Sequence, residues 1–336
     1  MRREFTLTLV ALALLALTAC SVENEVTPPN PSQGNAISFD SVSTRADLSD
    51  LQADGFGVWG VHFNSAQQYG YLLLDKQDVT YDGSKWVYSP VKYWLPNTVF
   101  NFVAAYPAER FETAVYTEGD VSLNYVVLYD FNTADQSNVE DILGATAVVD
   151  TSVEGYTKTV PLTFNHLLCR INVCLMQDGD QNREDNFIID KVTLSGVKTT
   201  GNYYYFPLSN EVSCGWGVDA SATTTFEREF TDNANIGLSG KRYLDDDGLL
   251  LLPQAITAET IKLTVNFRFG AQGTEDISLY EPKTLEAYLP ATEDLWQSGK
   301  SITYNVKVST YNPITFLPPT VSPWGNLQSG GTIIIK

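Results

Sequence analysis

Thr260-Ile261-Lys262-Leu263-Thr264-Val265-Asn266-Phe267-Arg268-Phe269 alternates polar and apolar residues without a break. Successive side chains of a strand point to opposite sides, so this spacing buries Ile261, Leu263, Val265, Phe267 and Phe269 and wets the intervening face. Ser301-Ile302-Thr303-Tyr304-Asn305-Val306-Lys307-Val308 repeats the pattern nearer the end of the chain. Working outward, further apolar runs predict strands over 37–42, 56–63, 99–106, 121–128, 143–149 and 162–176. Others follow over 187–197, 224–230, 249–252, 279–289 and 332–335. Asp82-Gly83, Asp178-Gly179-Asp180, Ser239-Gly240 and Asp247-Gly248 supply turn chemistry between them. Past the first twenty residues no long amphipathic helical pattern occurs. Many short strands at this spacing argue for β-sandwiches rather than a parallel α/β sheet. The expected fold is all-β, with two tandem β-sandwich domains over 37–160 and 161–336. The polar stretch 177–186 competes with residue 160 as the boundary, and no repeat of fixed period is visible.

The N-terminus is of a different kind. Arg2 and Arg3 precede an almost unbroken apolar run over 5–19, shorter than the roughly 20 residues a membrane-spanning helix requires. The run ends Leu17-Thr18-Ala19-Cys20, which resembles a bacterial lipobox: an aliphatic residue, two small ones, then the cysteine that receives lipid. Small residues suit a peptidase that grips extended backbone beside the cut. The expectation is cleavage between Ala19 and Cys20 and a lipid anchor (palmitate among its acyl chains) on Cys20. An ordinary secretory signal with an incidental cysteine is the alternative. Residues 20–36, rich in proline and small polar types, cannot bury enough apolar surface to fold and read as a tether. Glu23 and Glu25, soon after the cysteine, resemble the surface-export signal of Bacteroidetes lipoproteins. The expected location is the outer membrane, facing outward.

Composition narrows the partners. The chain has a formal net charge of −19, and loss of Arg2, Arg3 and Glu4 with the leader takes the mature chain to about −20. Such a surface disfavours nucleic acid and anionic lipid head groups. Aromatic residues make up 12% of the sequence, which suits β-structure. Beyond Cys20 stand Cys169, Cys174 and Cys214, an odd set that cannot all pair within the chain. Cys169 and Cys174, five apart in a predicted strand, face opposite sides. Either a Cys174–Cys214 bridge or buried free thiols remains open.

Catalytic signals are missing. With only His62 and His166 the chain cannot build a His-rich zinc site, and it carries no HExxH, P-loop, GxSxG or Rossmann glycine pattern. A glycosidase needs only two placed carboxylates, so 40 acidic residues leave that route open on paper. Asp178, Asp180, Asn182 and Glu184 alternate as calcium-loop ligands do, but Arg183 stands where such a loop needs glycine, which favours a solvated hairpin. The Asp245-Asp246-Asp247 run reads the same way. Trp86, Tyr88, Tyr93 and Trp94 form either a sugar-stacking platform or strand-edge packing beside Pro90 and Pro96. His166 reads as a structural hydrogen-bonding residue. No catalytic residue, metal or cofactor is expected.

A series of short motifs then takes on meaning through its order. Ile37-Ser38-Phe39, Thr44-Arg45-Ala46 and Phe56-Gly57-Val58-Trp59 come first; Trp86-Val87-Tyr88-Ser89-Pro90, Tyr93-Trp94 and Phe100-Asn101-Phe102 with Ala105-Tyr106-Pro107 follow. Asp141-Ile142-Leu143-Gly144-Ala145 and Leu162-Thr163-Phe164-Asn165-His166 lead to Leu252-Pro253-Gln254, Trp296, Gly299-Lys300, Tyr304 and Val321-Ser322-Pro323-Trp324. This succession, spread over the whole mature chain, resembles the fimbrillin family of Bacteroidales pilus proteins.

The resemblance implies two transthyretin-like sandwiches and a non-enzymatic fimbrial subunit or fimbrium-associated adhesin. It also implies delivery as a lipoprotein, then cleavage after an arginine behind the first strand. Loss of that strand bares a sheet edge and an apolar groove, which a strand of a neighbouring subunit fills. Mapped here, the lost strand is 36–42, the cut falls between Arg45 and Ala46, and the donor is Thr332-Ile333-Ile334-Ile335 behind Gly330-Gly331. An ordinary last strand is the other reading of that tail. The implied partners are other fimbrial subunits, a host or bacterial surface ligand, and the outer membrane through the lipid. A surface glycan- or host-ligand-binding lipoprotein that does not polymerise is the alternative function.

Overall fold

The structure is a computed structural model that describes residues 35–44, 48–64, 70–118, 121–178, 186–234, 236, 240–271, 273–292 and 295–324. The expected lipidation and cleavage residues Ala19, Cys20, Arg45 and Ala46 and the expected donor strand 332–335 lie outside these residues. In chain order come β1 (Ser38–Thr44), helix α1 (Leu48–Asp54), β2 (Phe56–Asn64), β3 (Tyr71–Tyr81), β4 (Trp86–Val87) and β5 (Thr98–Tyr106). Next are β6 (Glu112–Glu118), β7 (Val121–Asn132), β8 (Leu143–Asp150), β9 (Thr159–His166), β10 (Cys169–Gln177) and β11 (Asn186–Lys198). Then β12 (Thr200–Pro207), β13 (Val212–Val218), β14 (Thr223–Glu229), β15 (Arg242–Tyr243) and β16 (Leu249–Leu251) follow. β17 (Lys262–Gly270), β18 (Glu281–Tyr288), β19 (Lys300–Val308), β20 (Thr315–Phe316) and β21 (Thr320–Pro323) complete the set. The fold is all-β, as the alternation requires.

Seven strands in the order β1-β9-β8-β5-β2-β3-β4 form the first sheet. Its central strand β5 is buried on both faces and so reads as a nearly continuous apolar run. Phe100, Phe102 and Ala104 point to one core, with Phe56, Val58, Trp94, Val160 and Phe164. Val103 and Ala105 point to another, shared with Val126, Leu128, Tyr203 and Tyr205 of the four-stranded sheet β13-β12-β7-β6. Later in the chain, β10 and β19 with their neighbours form a six-stranded sheet that faces the four-stranded sheet β14-β11-β17-β18. Their shared core takes Cys169, Ile171, Val173 and Leu175 from β10, and Leu263, Val265 and Phe267 from β17. The alternation that opened the sequence reading therefore lines a sandwich interior.

One strand expectation changes. The run 162–176 is not one strand but β9 and β10, each in a different sheet. At the break the backbone is bonded elsewhere: Leu167 donates to Ile142 and Leu168 accepts from Gly299. Apolar continuity hides this break because both leucines are buried. The position 160 itself falls within β9. The hairpin β12–β13, far along the chain, pairs through β12 with β7 and so packs on the first sheet.

Five loops share one closing device. In Asp82-Gly83-Ser84, Asp135-Gln136-Ser137, Asp150-Thr151-Ser152, Asp219-Ala220-Ser221 and Asp276-Ile277-Ser278, the Asp Oδ1 accepts from the amide and the hydroxyl of the Ser two residues on. Those bonds span 2.8–3.1 Å and 2.6–2.8 Å respectively. Each carboxylate thus replaces a main-chain partner that the turn cannot supply.

Candidate functional site

The first strand carries the site because of where the first sheet ends. Ala36-Ile37-Ser38-Phe39 alternates, so Ile37 and Phe39 point inward and are 1% and 4% exposed. On the outer side the Ser38 and Thr159 hydroxyls meet at 3.1 Å. From Ser38 onward β1 runs parallel to β9, with Ser38 opposite Thr159 and Phe39 opposite Val160. Just upstream, Ala36 bridges Tyr93 antiparallel: Trp94 N donates to Asn35 O at 3.0 Å and Ile37 N to Lys92 O at 2.9 Å. The chain at 92–94 lies just past β4, the opposite end of the sheet order. Residues 35–44 therefore close the seven-stranded sheet on itself, and the first strand is the stave at the seam.

What lies under that stave is apolar. Phe39 packs on Tyr88 at 5.4 Å between ring centroids and edge-on to Phe102 at 5.9 Å. Val160, Leu162 and Phe164 of β9 are fully buried beside it. Removing β1 leaves a slot floored by these side chains and walled by unpaired backbone of β9 and 92–94. Such an edge is a template for another strand, with main-chain bonds for affinity and two inward pockets for register.

The other sequence candidates resolve as packing. Trp86 and Trp94 are buried at 8% and 1% exposure, so they offer no sugar platform. Trp86 packs on Phe56 at 4.8 Å and Tyr81 at 5.3 Å; Trp94 meets Phe100 edge-on at 4.9 Å and donates its indole N–H to Lys158 O. His166 Nδ1 lies 2.5 Å from Asp141 Oδ2, and its ring stacks on Trp324 at 4.0 Å while Arg170 stands 4.8 Å from the same indole. That clasp is structural, as expected for His166. His62 is held below its ordinary pKa by burial against Tyr71 and Phe100. Of the run 178–185 only Asp178 is described, and Lys307 bonds it. Among the described residues no His, Cys, Asp and Glu side chains cluster as metal ligands do.

The cysteine alternatives also separate. Cys169, Cys174 and Cys214 are free thiols. Cys169 and Cys174 are buried on opposite faces of β10, with the Cys169 pKa pushed up by burial, while Cys214 is exposed on β13 in another sheet. The strand β12 lies outside the predicted runs: it buries Tyr203 and Tyr205 but half-exposes Tyr204. Three consecutive tyrosines conceal the alternation.

Comparison with known proteins follows the same lines. The chain matches the fimbrillin-like family over residues 44–324. No curated protein matches its sequence. Among solved structures, a fimbrial protein from Bacteroides vulgatus ATCC 8482 superimposes with a TM-score of 0.60 at 17% identity, covering 87% of this chain and 100% of that one. The fimbrial anchor protein Mfa2 from Porphyromonas gingivalis matches with a TM-score of 0.34 at 7% identity, over 86% of this chain and 97% of its own. The first of these likenesses is one of fold; the second is too distant to bear on the argument. With its all-β architecture and a family match that spans most of its length, the chain belongs to the fimbrillin-like family.

Proposed function

We propose that this protein is a non-enzymatic fimbrial subunit or fimbrium-associated adhesin that reaches the outer membrane as a Cys20-anchored lipoprotein. Cleavage between Arg45 and Ala46 then releases β1, and a strand from a neighbouring subunit takes its place, with Thr332–Ile335 as the donor. The observation that carries this reading is the position of β1: it closes the first sheet, inserts two apolar side chains, and ends one residue before Arg45. A stave at a seam can leave without breaking a strand on either side, whereas a central strand cannot. The lipid, the tether and β1 would depart together, so Cys20 would mark a delivery stage. The division near residue 160 into an N-terminal and a C-terminal sandwich belongs to the same reading, with the β12–β13 hairpin crossing back to the first.

The test is treatment of the mature protein with an arginine-specific protease, followed by N-terminal sequencing and SDS electrophoresis without heating. The expected result is a new terminus at Ala46 and SDS-resistant ladders, both absent in Arg45→Ala. An intact N-terminus with no ladder refutes the polymerisation step and leaves a permanently tethered surface lipoprotein.

A further inference from the structure

The seam holds a side chain where a main-chain bond belongs. Asn35 and Ile37 pair with Trp94 and Lys92 through Trp94 N to Asn35 O and Ile37 N to Lys92 O. In an antiparallel ladder the next bond in this series is Lys92 N to Ile37 O. It is not made directly. Instead Lys92 N donates to the Tyr88 hydroxyl at 3.1 Å, and that hydroxyl donates to Ile37 O at 3.0 Å. The Tyr88 ring, half-buried, packs on Phe39, so one residue touches the first strand through both its backbone and its inward side chain. Asn35 adds a second side-chain tie, its Nδ2 donating to Trp94 O at 2.9 Å.

We propose that Tyr88 is the latch of the seam, a residue whose inserted hydroxyl sets how fast the first strand leaves its slot. This rests on the maturation reading above, because a latch matters only where the strand is released. The physical basis is asymmetric. On the β9 side a parallel ladder, irregular between Asp40 and Ser43, grips β1; on the 92–94 side two direct main-chain bonds hold the chain and the third is relayed through one phenol. A hydroxyl can donate and accept at once, so it completes the seam, yet one χ1 rotamer change breaks both of its bonds and loosens the strand at its N-terminal end. Release then proceeds from Ile37 toward Thr44 rather than by detachment along the whole strand.

Tyr88→Phe tests this, since it keeps the ring on Phe39 and removes only the hydroxyl. In the uncut mature protein, hydrogen exchange at the Lys92 amide should rise about tenfold, as expected for a lost hydrogen bond with its donor left unpaired. Exchange in the β2–β3 pair should not change. After arginine-specific cleavage, the fragment ending at Arg45 should dissociate about tenfold faster than from the wild type, measured by size exclusion at timed intervals. Asn35→Ala, which leaves the phenol in place, should change release in the same direction. Equal exchange at Lys92 and equal release rates would overturn the latch. If Arg45 resists cleavage in both proteins, the maturation reading fails, and exchange at Lys92 alone decides the latch.

Discussion

Gly144→Ala should loosen the docking of the β12–β13 hairpin on the first sheet. Gly144 lies in β8 on the face that meets the four-stranded sheet, and a Cβ built there would sit 1.7 Å from the Tyr205 hydroxyl and 3.1 Å from Leu167 Cδ2. Tyr205 cannot swing aside freely: it is fully buried, with Tyr203 at 5.0 Å and Phe111 at 6.3 Å between ring centroids. Overpacking of this kind costs about 1–3 kcal/mol. Gly144 has an ordinary negative φ, so alanine also removes unfolded-state freedom and returns about 0.4–1 kcal/mol. The net expectation is a loss of about 1–2 kcal/mol, read as a lower urea midpoint with unchanged slope. Tyr205→Phe removes the clashing atom, whose hydroxyl is buried without a hydrogen-bond partner. The double variant should therefore recover most of the loss, giving a coupling of about 1 kcal/mol or more. Additive effects, or a Gly144→Ala variant as stable as the parent, would refute the packing argument.

Three further outcomes are expected. Asn101→Ala removes the side-chain amide that donates to Leu208 O and, at 2.9 Å, to Glu211 O; it should cost about 2 kcal/mol and speed hydrogen exchange through 208–211. Asp135, Asp150 and Asp276 are held below the ordinary 3.8 chiefly by the hydroxyls of Ser137, Ser152 and Ser278, and Asp82 chiefly by the Lys85 amide. A lowered folded pKa means their contribution is full above 3.8 and is lost as pH falls through the folded values, so carboxyl NMR titrations should show these four midpoints below 3.8 and their turns loosening in acid. A thiol reagent should label Cys214 in the native protein without prior reduction, and reach Cys169 and Cys174 only after denaturation. Labelling that requires reduction would reveal a disulfide the structure does not contain.

Much of the fold was legible because many strands keep one face wet. β17 and β19 alternate, and their predicted inward residues are the buried ones except Phe269, which is only partly buried where the β17 alternation breaks. β11 and β14 match their predicted spans within a residue at each end for the same reason. The reading failed where polarity does not report burial. β12 presents tyrosines to both faces, and β3 interrupts its pattern at Lys76, whose φ of 49° marks an irregularity in the strand. The pair β9 and β10 read as one strand because the chain stays apolar while it passes from one sheet to the next. At the candidate site, the inward pair Ile37 and Phe39 was visible from alternation alone. The role of Tyr88 was not, since nothing in sequence marks a hydroxyl that substitutes for a ladder bond.

The sequence by itself determined that this chain is all-β and which family it belongs to. Those properties rest on local periodicity and on the order of short motifs, both of which a linear string preserves. Only the tertiary structure decided that residues 35–44 close the first sheet at a seam, that Trp86 and Trp94 fill its core, and that the β12–β13 hairpin returns to it across β7. Hydrogen-bonded strand order depends on contacts between residues far apart in the chain, such as Ala36 with Tyr93 and Ser38 with Thr159. Backbone amides and carbonyls are the same at every residue, so no side-chain pattern records which edges will meet.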